Sequence, residues 1–188
     1  MPCPGESDEA LLARVAEGDE AACRVLVARH LGPIVAFAGR LLGDPAEAED
    51  VAQDAFLALW RHAARWRPGG ARLTTWLHKV AMNGAFDRLR RRRGAPLEAA
   101  GDPVDPAPGP AAALQAQDVA RTVAAALGTL PERQRAALVL AHYQELSNIE
   151  AAAVMEVSVE ALESLLSRGR RSLRQRLAAK MPDLLGEI

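Results

Sequence analysis

Aromatic residues are scarce, with phenylalanine, tryptophan and tyrosine making up 4% of the 188 residues. That scarcity, the lack of any long alternating β-branched run and the abundance of alanine argue for helices over sheet. There are only two cysteines, Cys3 and Cys23, and neither sits in a metal-ligand spacing. The sequence shows no signal peptide and no apolar run of about 18 residues, which places the chain in a reducing cytoplasm without membrane insertion. Excess positive charge is also missing. The net charge of −1 excludes a uniformly basic DNA coat, so any nucleic-acid contact must come from local patches. His30, His62, His78 and His142 stand singly and read as surface or core residues rather than ligands. There is no phosphate-binding glycine loop, no nucleophile elbow and no HExxH. Carboxylates gather where helix starts favour them. The expectation is a protein that is not an enzyme and needs no cofactor or metal.

Proline and glycine, by contrast, are concentrated. Residues 94–111 are dominated by proline, glycine and alanine and cannot bury a core. They divide the chain into a front domain, 1–93, and a back domain, 112–188. In front, Ser7, Asp19 and the Asp44-Pro45 pair read as helix starts. Gly32-Pro33 reads as an interruption of the second helix. Thr74 or Thr75 reads as the start of the last front helix. In the back domain, helices are expected over about 112–127 and from Pro131 to about His142. Residues 146–177 read as a helix-turn-helix, with Ser147 capping its first helix and Ser158 its second; Met181-Pro182 is expected to close it. Leu162, Leu166, Leu173 and Leu177 share one face of the second helix, with Gly169 between them. The expected architecture is all-α, two small helical domains joined by a flexible linker.

Three constellations carry chemistry. On the helix 45–64, Val51, Ala55 and Leu59 repeat at core spacing, as do Ala52, Phe56 and Trp60. Asp50, Gln53, Asp54 and Leu57 fall on the other side. Asp50 and Asp54 lie beyond the first turn, where the helix dipole alone explains them poorly. Dipole complementation and docking of a basic partner both stay open. The segment 65–93 interleaves Trp66 and Trp76 with Arg65, Arg67, Arg72 and Lys79. Asn83 lies one turn past Lys79, and five arginines fall within 88–93, including Arg88, Arg90 and Arg91. Basic side chains with aromatic faces suit single-stranded nucleic acid. Leu77, Val80 and Phe86 read as core. The helix-turn-helix suits a DNA major groove, although a surface helix with a solvated basic face fits it about as well.

In order and spacing these segments resemble an extracytoplasmic-function sigma factor of bacterial RNA polymerase. The resemblance runs through LLGDPAEAEDVAQDAFLALWRH, TTWLHKVAMNGAFDRLRRRR and LPERQRAALVLAHYQELSNIEAAAVMEVSVEALESLLSRGRRSLRQRL. It implies that the chain binds core polymerase, through the β′ clamp helices and the β subunit, and directs promoter recognition. Asp50, Gln53, Asp54 and Phe56 would grip the clamp. Arg65, Trp66, Arg67, Arg72, Trp76, Lys79, Asn83, Arg88, Arg90 and Arg91 would hold the melted −10 strand. Ser158, Glu160, Ala161, Glu163, Ser164, Ser167, Arg168 and Arg171 would face the −35 element. A separate anti-sigma protein is implied as regulator, able to hold the chain near the inner membrane. The chain departs from the group at Glu163 and Leu165, where Lys and Arg are frequent, and at Met82, where an arginine is common. A regulator that binds operator DNA through 146–177 alone is the rival reading, and a module that binds polymerase without directing initiation is another.

Overall fold

Capping side chains account for five of the eight described α-helix starts in the computed structural model. It describes the backbone of residues 6–67, 69–70, 72–94, 111–144 and 146–185, and the side chains of these except 94, 111–118 and 179–185. The front half holds α1 (Asp8–Ala16), α2 (Glu20–Leu42), α3 (Pro45–His62), a 3-10 turn (Ala63–Arg65) and α4 (Leu73–Gly94). The Ser7 hydroxyl accepts from the Ala10 amide, Asp19 from Ala21 and Ala22, and Asp44 from Glu47. Each supplies a partner for amides that a helix start leaves open. The back half holds α5 (Ala111–Gly128), α6 (Glu132–Tyr143), α7 (Asn148–Met155) and α8 (Val159–Leu185). Ser147 and Glu150 form a capping box on α7, and the Ser158 hydroxyl accepts from the Ala161 amide at 3.2 Å. No strand occurs among the described residues. The all-α class and the α7–α8 helix-turn-helix therefore stand as expected. Of the expected linker 94–111, Gly94 ends α4 and Ala111 opens α5; the residues between lie outside the described set.

Several expectations are corrected. Gly32-Pro33 does not interrupt α2, which runs unbroken with Pro33 inside it on an exposed position. An internal proline costs about 3 kcal/mol. Packing offsets that cost, because Leu26, Ile34, Phe37, Ala38 and Leu41 are all buried along the same helix. Pro182 likewise lies within α8 rather than closing it, near an end where few hydrogen bonds are at stake. The last front helix starts at Leu73, not at a threonine, and Thr75 is buried. By length and composition α2 could cross a bilayer, although no such run was expected. About a third of that stretch is buried in the core.

One cluster of buried apolar residues runs through both halves. It includes Leu26, Phe37, Val51, Ala55 and Leu77 in front and Leu138, Val139, Leu140, Val154, Leu162 and Leu166 behind. Gly169 lets α8 press on α6: a β-carbon there would lie 3.0 Å from Leu138 Cδ1 and 3.2 Å from its Cγ. The halves are joined by Arg135, buried at 8% exposure. Its guanidinium donates to the carbonyls of Leu41, Gly128 and Leu130. Nearby, the Arg40 guanidinium lies 4.4 Å from the centre of the Tyr143 ring.

Replacing Arg135 with methionine keeps the volume but leaves these carbonyls without their donor. A loss of at least about 1–3 kcal/mol is expected, read as a lower urea midpoint with little change in slope.

Candidate nucleic-acid interface

Helix α3 buries Val51, Ala52, Ala55 and Leu59. The same helical period leaves Asp50, Gln53 and Asp54 exposed, while Phe56 is half-buried against the core. Trp60 is not in the core as its spacing suggested; it is 48% exposed. With Leu31, Leu57, Val27, Val35, Cys23, Gln53 and Phe56 it lines a groove of about 560 Å³ between α2 and α3. The apolar stripe of α3 is wider than its neighbours can cover, and its uncovered edge forms the groove wall. Exposed apolar surface beside carboxylates suits a partner that offers both apolar and basic side chains. Sequence reasoning missed the groove because its α2 wall, Val27 and Leu31, looks like ordinary core.

The tryptophans of the basic segment hold each other. Trp76 stacks on His62 at 5.5 Å between ring centres, and Trp66 meets Trp76 edge-on at 6.0 Å. Both are half-buried against the core, while Arg65, Arg67 and Arg72 are exposed. Farther along α4 the arginine run divides. Arg88 pairs with Asp54 at 3.1 Å, and Arg92 with Asp44 and Glu47 at 2.8 and 2.9 Å. These two strap α4 to α3, a structural use that the sequence reading did not give them. Arg90 pairs with Asp87 one turn earlier, and Arg91 is exposed.

On α8 and the turn before it, Ser158, Glu160, Ala161, Glu163, Ser164, Ser167, Arg168 and Arg171 are all exposed, while Leu162 and Leu166 point inward. Leu165, which departs from the resembled pattern, is half-buried against the core. The Glu160 carboxyl is held below its ordinary range by its own backbone amide and the Ser158 hydroxyl.

Helix α7 lies against α4. Arg72 pairs with Glu150 at 2.8 Å, Lys79 with Glu156 at 2.6 Å, and Arg93 with Glu132. Asn83 and Arg90 line a cavity of about 370 Å³ between the halves, together with Met155 and Glu156. The Glu150 carboxyl lies below its usual range because it accepts from the Ser147 hydroxyl and amide and from Arg72. At the buried centre of this face, His78 Nδ1 donates to the Thr74 carbonyl at 2.7 Å. The Gln144 side-chain amide lies 3.2 Å from Nε2. Burial pushes the imidazole below its ordinary pKa. None of Glu132, Gln144, Glu150 or Glu156 was singled out as a partner of α4 from the sequence. They are separated from their partners by 39 to 78 positions, and no local pattern signals such pairing.

Comparison with known proteins finds two family matches along the chain. The Sigma-70 region 2 family matches residues 26–95, and the Sigma-70, region 4 family matches residues 120–173. The chain is similar to RNA polymerase sigma factor CnrH of Cupriavidus metallidurans, 35% identical over 187 residues, covering 94% of this chain and 97% of that protein. It is also similar to ECF RNA polymerase sigma factor SigE of Mycolicibacterium smegmatis, 34% identical over 170 residues, covering 87% of this chain and 65% of that one. Among solved structures it resembles that of CnrH in complex with the cytosolic domain of CnrY, with a TM-score of 0.70, 33% identity and coverage of 93% and 99%.

The buried imidazole makes this face sensitive to acid. An unfolded histidine takes up a proton near pH 6.5, whereas His78 in the fold resists it to lower pH. Stability is therefore full above about pH 6.5 and falls as the pH drops below it. His78→Gln should flatten that fall, measured as melting temperature between neutral and mildly acidic buffer. An unchanged slope would assign the acid loss to other groups.

Proposed function

The chain belongs to the sigma-70 family, as an extracytoplasmic-function sigma factor, and on that premise we propose how its surfaces divide the work of initiation. It is a transcription initiation factor and not an enzyme, and sigma factors act in the cytoplasm. Asp50, Gln53, Asp54 and Phe56, with the groove beside them, grip the β′ clamp helices of core polymerase. The observation that carries this is the exposed pairing of carboxylates with apolar Leu57 and Trp60 on one helix edge. Arg65, Trp66, Arg67, Arg72, Trp76, Lys79, Asn83, Arg90 and Arg91 hold the melted −10 strand, with Arg88 bracing the helix that carries them. Each stacked base is worth about 1–3 kcal/mol. Such contacts form only after the duplex opens, so they favour the melted state. The outer face of α8, from Ser158 to Arg171, reads the −35 element.

A separate anti-sigma protein controls the chain. CnrH is solved bound to the cytosolic domain of CnrY, and a comparable partner here would cover both halves and hold the chain near the inner membrane. The α2–α3 groove, with its exposed Leu31, Leu57 and Trp60, offers such a partner an apolar seat.

In vitro transcription with core polymerase, from the promoter upstream of the protein's own operon, tests the reading. Charge reversal of Asp50 and Asp54 together should weaken core binding about tenfold or more without unfolding the chain. Asn83→Ala should impair promoter opening more than core binding. Failure to form a core complex would sink the assignment, and equal loss in both assays for Asn83→Ala would give that residue a folding role.

A further inference from the structure

The leading turns of α8 present few side chains long enough to reach a base edge. From Ser158 to Ser167 the exposed residues are Ser158, Glu160, Ala161, Glu163, Ser164 and Ser167. Serine and alanine are short, so the two glutamates are the long side chains there. The first cation on this face, Arg168, lies about 15 Å along the axis from Ser158. Its Nε donates back to the Ser164 carbonyl at 3.2 Å. The two glutamates differ in what already holds them. Glu160 lies in the first turn, where the helix dipole favours a carboxylate, and it accepts from its own amide and the Ser158 hydroxyl. Glu163 lies beyond the first turn. Among the described residues its carboxylate has neither a hydrogen bond nor an ion pair. Its neighbours at i+3 and i+4 are Leu166 and Ser167, and Glu160 three positions before it is a like charge, so no intrahelical pair accounts for it. Cations follow it on the same helix: Arg168, Arg170, Arg171, Arg174 and Arg176 are all exposed.

We propose that Glu163 selects a cytosine in the −35 element by accepting a hydrogen bond from its N4 amino group, while Arg168 and Arg171 hold flanking phosphates. This rests on the reading of α8 as the −35 helix. A carboxylate only accepts. In the major groove guanine shows two acceptors, and thymine shows one acceptor beside a methyl group, so both oppose it. Adenine offers its N6 donor next to the N7 acceptor, whereas cytosine offers N4 with no acceptor beside it. The order of preference is therefore cytosine, then adenine, then guanine and thymine. Phosphate contacts fix register and carry no sequence information, so the choice of base falls to the leading turns. Arg168 and Arg171 lie about 8 and 12 Å past Glu163 along the axis. That spacing lets the cations stay at the backbone and offset the carboxylate that enters the groove. Glu160, tied to its own helix start, keeps the first turn formed beneath it.

The test is in vitro transcription with core polymerase and the full chain, from the promoter of the protein's own operon with its −35 element randomised and each variant promoter marked by a transcribed barcode. The wild type should favour cytosine at one position of one strand by about five- to tenfold. Glu163→Gln should move that preference to adenine at the same position, because a carboxamide pairs with adenine N6 and N7. Glu163→Ala should flatten the preference there and leave the other positions as they are. The site is exposed, so neither substitution should lower the melting temperature. Glu9→Gln makes the same charge change on exposed α1 and should keep the whole wild-type pattern. The proposal is overturned if Glu163→Gln and Glu163→Ala keep the wild-type preference at every position, or if they change output by one common factor for all promoters. Core binding is read in a separate assay. A wild-type chain that binds core polymerase yet ignores the −35 sequence overturns the reading of α8 and this proposal with it, whereas a selective wild type with unmoved variants overturns the proposal alone.

Discussion

The relative placement of the two halves depends on one buried cation. Removing a guanidinium from water costs several kcal/mol unless its donors find partners. The two terminal nitrogens of Arg135 find them in the carbonyls of Leu41, Gly128 and Leu130, while its buried Nε has no hydrogen-bond partner. Leu41 lies in the last turn of α2 and Gly128 ends α5. Both are C-terminal positions, where unpaired carbonyls carry partial negative charge. The cation therefore meets two helix ends instead of a carboxylate. That arrangement is satisfied only when the end of α2 and the turn between α5 and α6 lie side by side. Tyr143 then falls beneath Arg40, Gln144 beside His78, and α7 along α4.

Around this hub the interface is layered by strength. Apolar packing continues from one half into the other, and Arg135 sits within it. The pairs at the rim, Arg72–Glu150 and Lys79–Glu156, each include a partner that is largely exposed and screened by solvent. Inside the front half the same chemistry does a different job. Arg88 and Arg92 clip α4 to α3, so the helix that carries the basic surface is aligned by part of its own charge. A run of arginines is therefore not one functional unit here.

Much of this was legible in the sequence where the cause is local. Ser7, Asp19, Asp44, Ser147 and Ser158 mark helix starts because a side-chain oxygen satisfies an amide within three residues. Asp50, Gln53 and Asp54 were readable as surface because α3 has one buried stripe and they lie off it. Pro33 and Pro182 were misread because a local penalty was weighed without the packing and position that outweigh it. Trp60 was misread because helical spacing tells which residues share a face but not where the neighbouring helix stops covering it. The contacts of Arg135, Glu150 and Glu156 were invisible, since they depend on where distant segments meet.

Gly169 gives the exposed face of α8 a mechanical meaning. Without a side chain at that point the helix rests directly on Leu138, as on a fulcrum. The start of the helix near Ser158 lies eleven residues away, an arm of about 16 Å. A small tilt at the fulcrum is carried along that arm to every side chain that could meet a base edge. Glycine at 169 thus sets the aim of a surface it never joins, so the angle at which this helix would enter a groove is encoded in a residue with nothing to offer DNA.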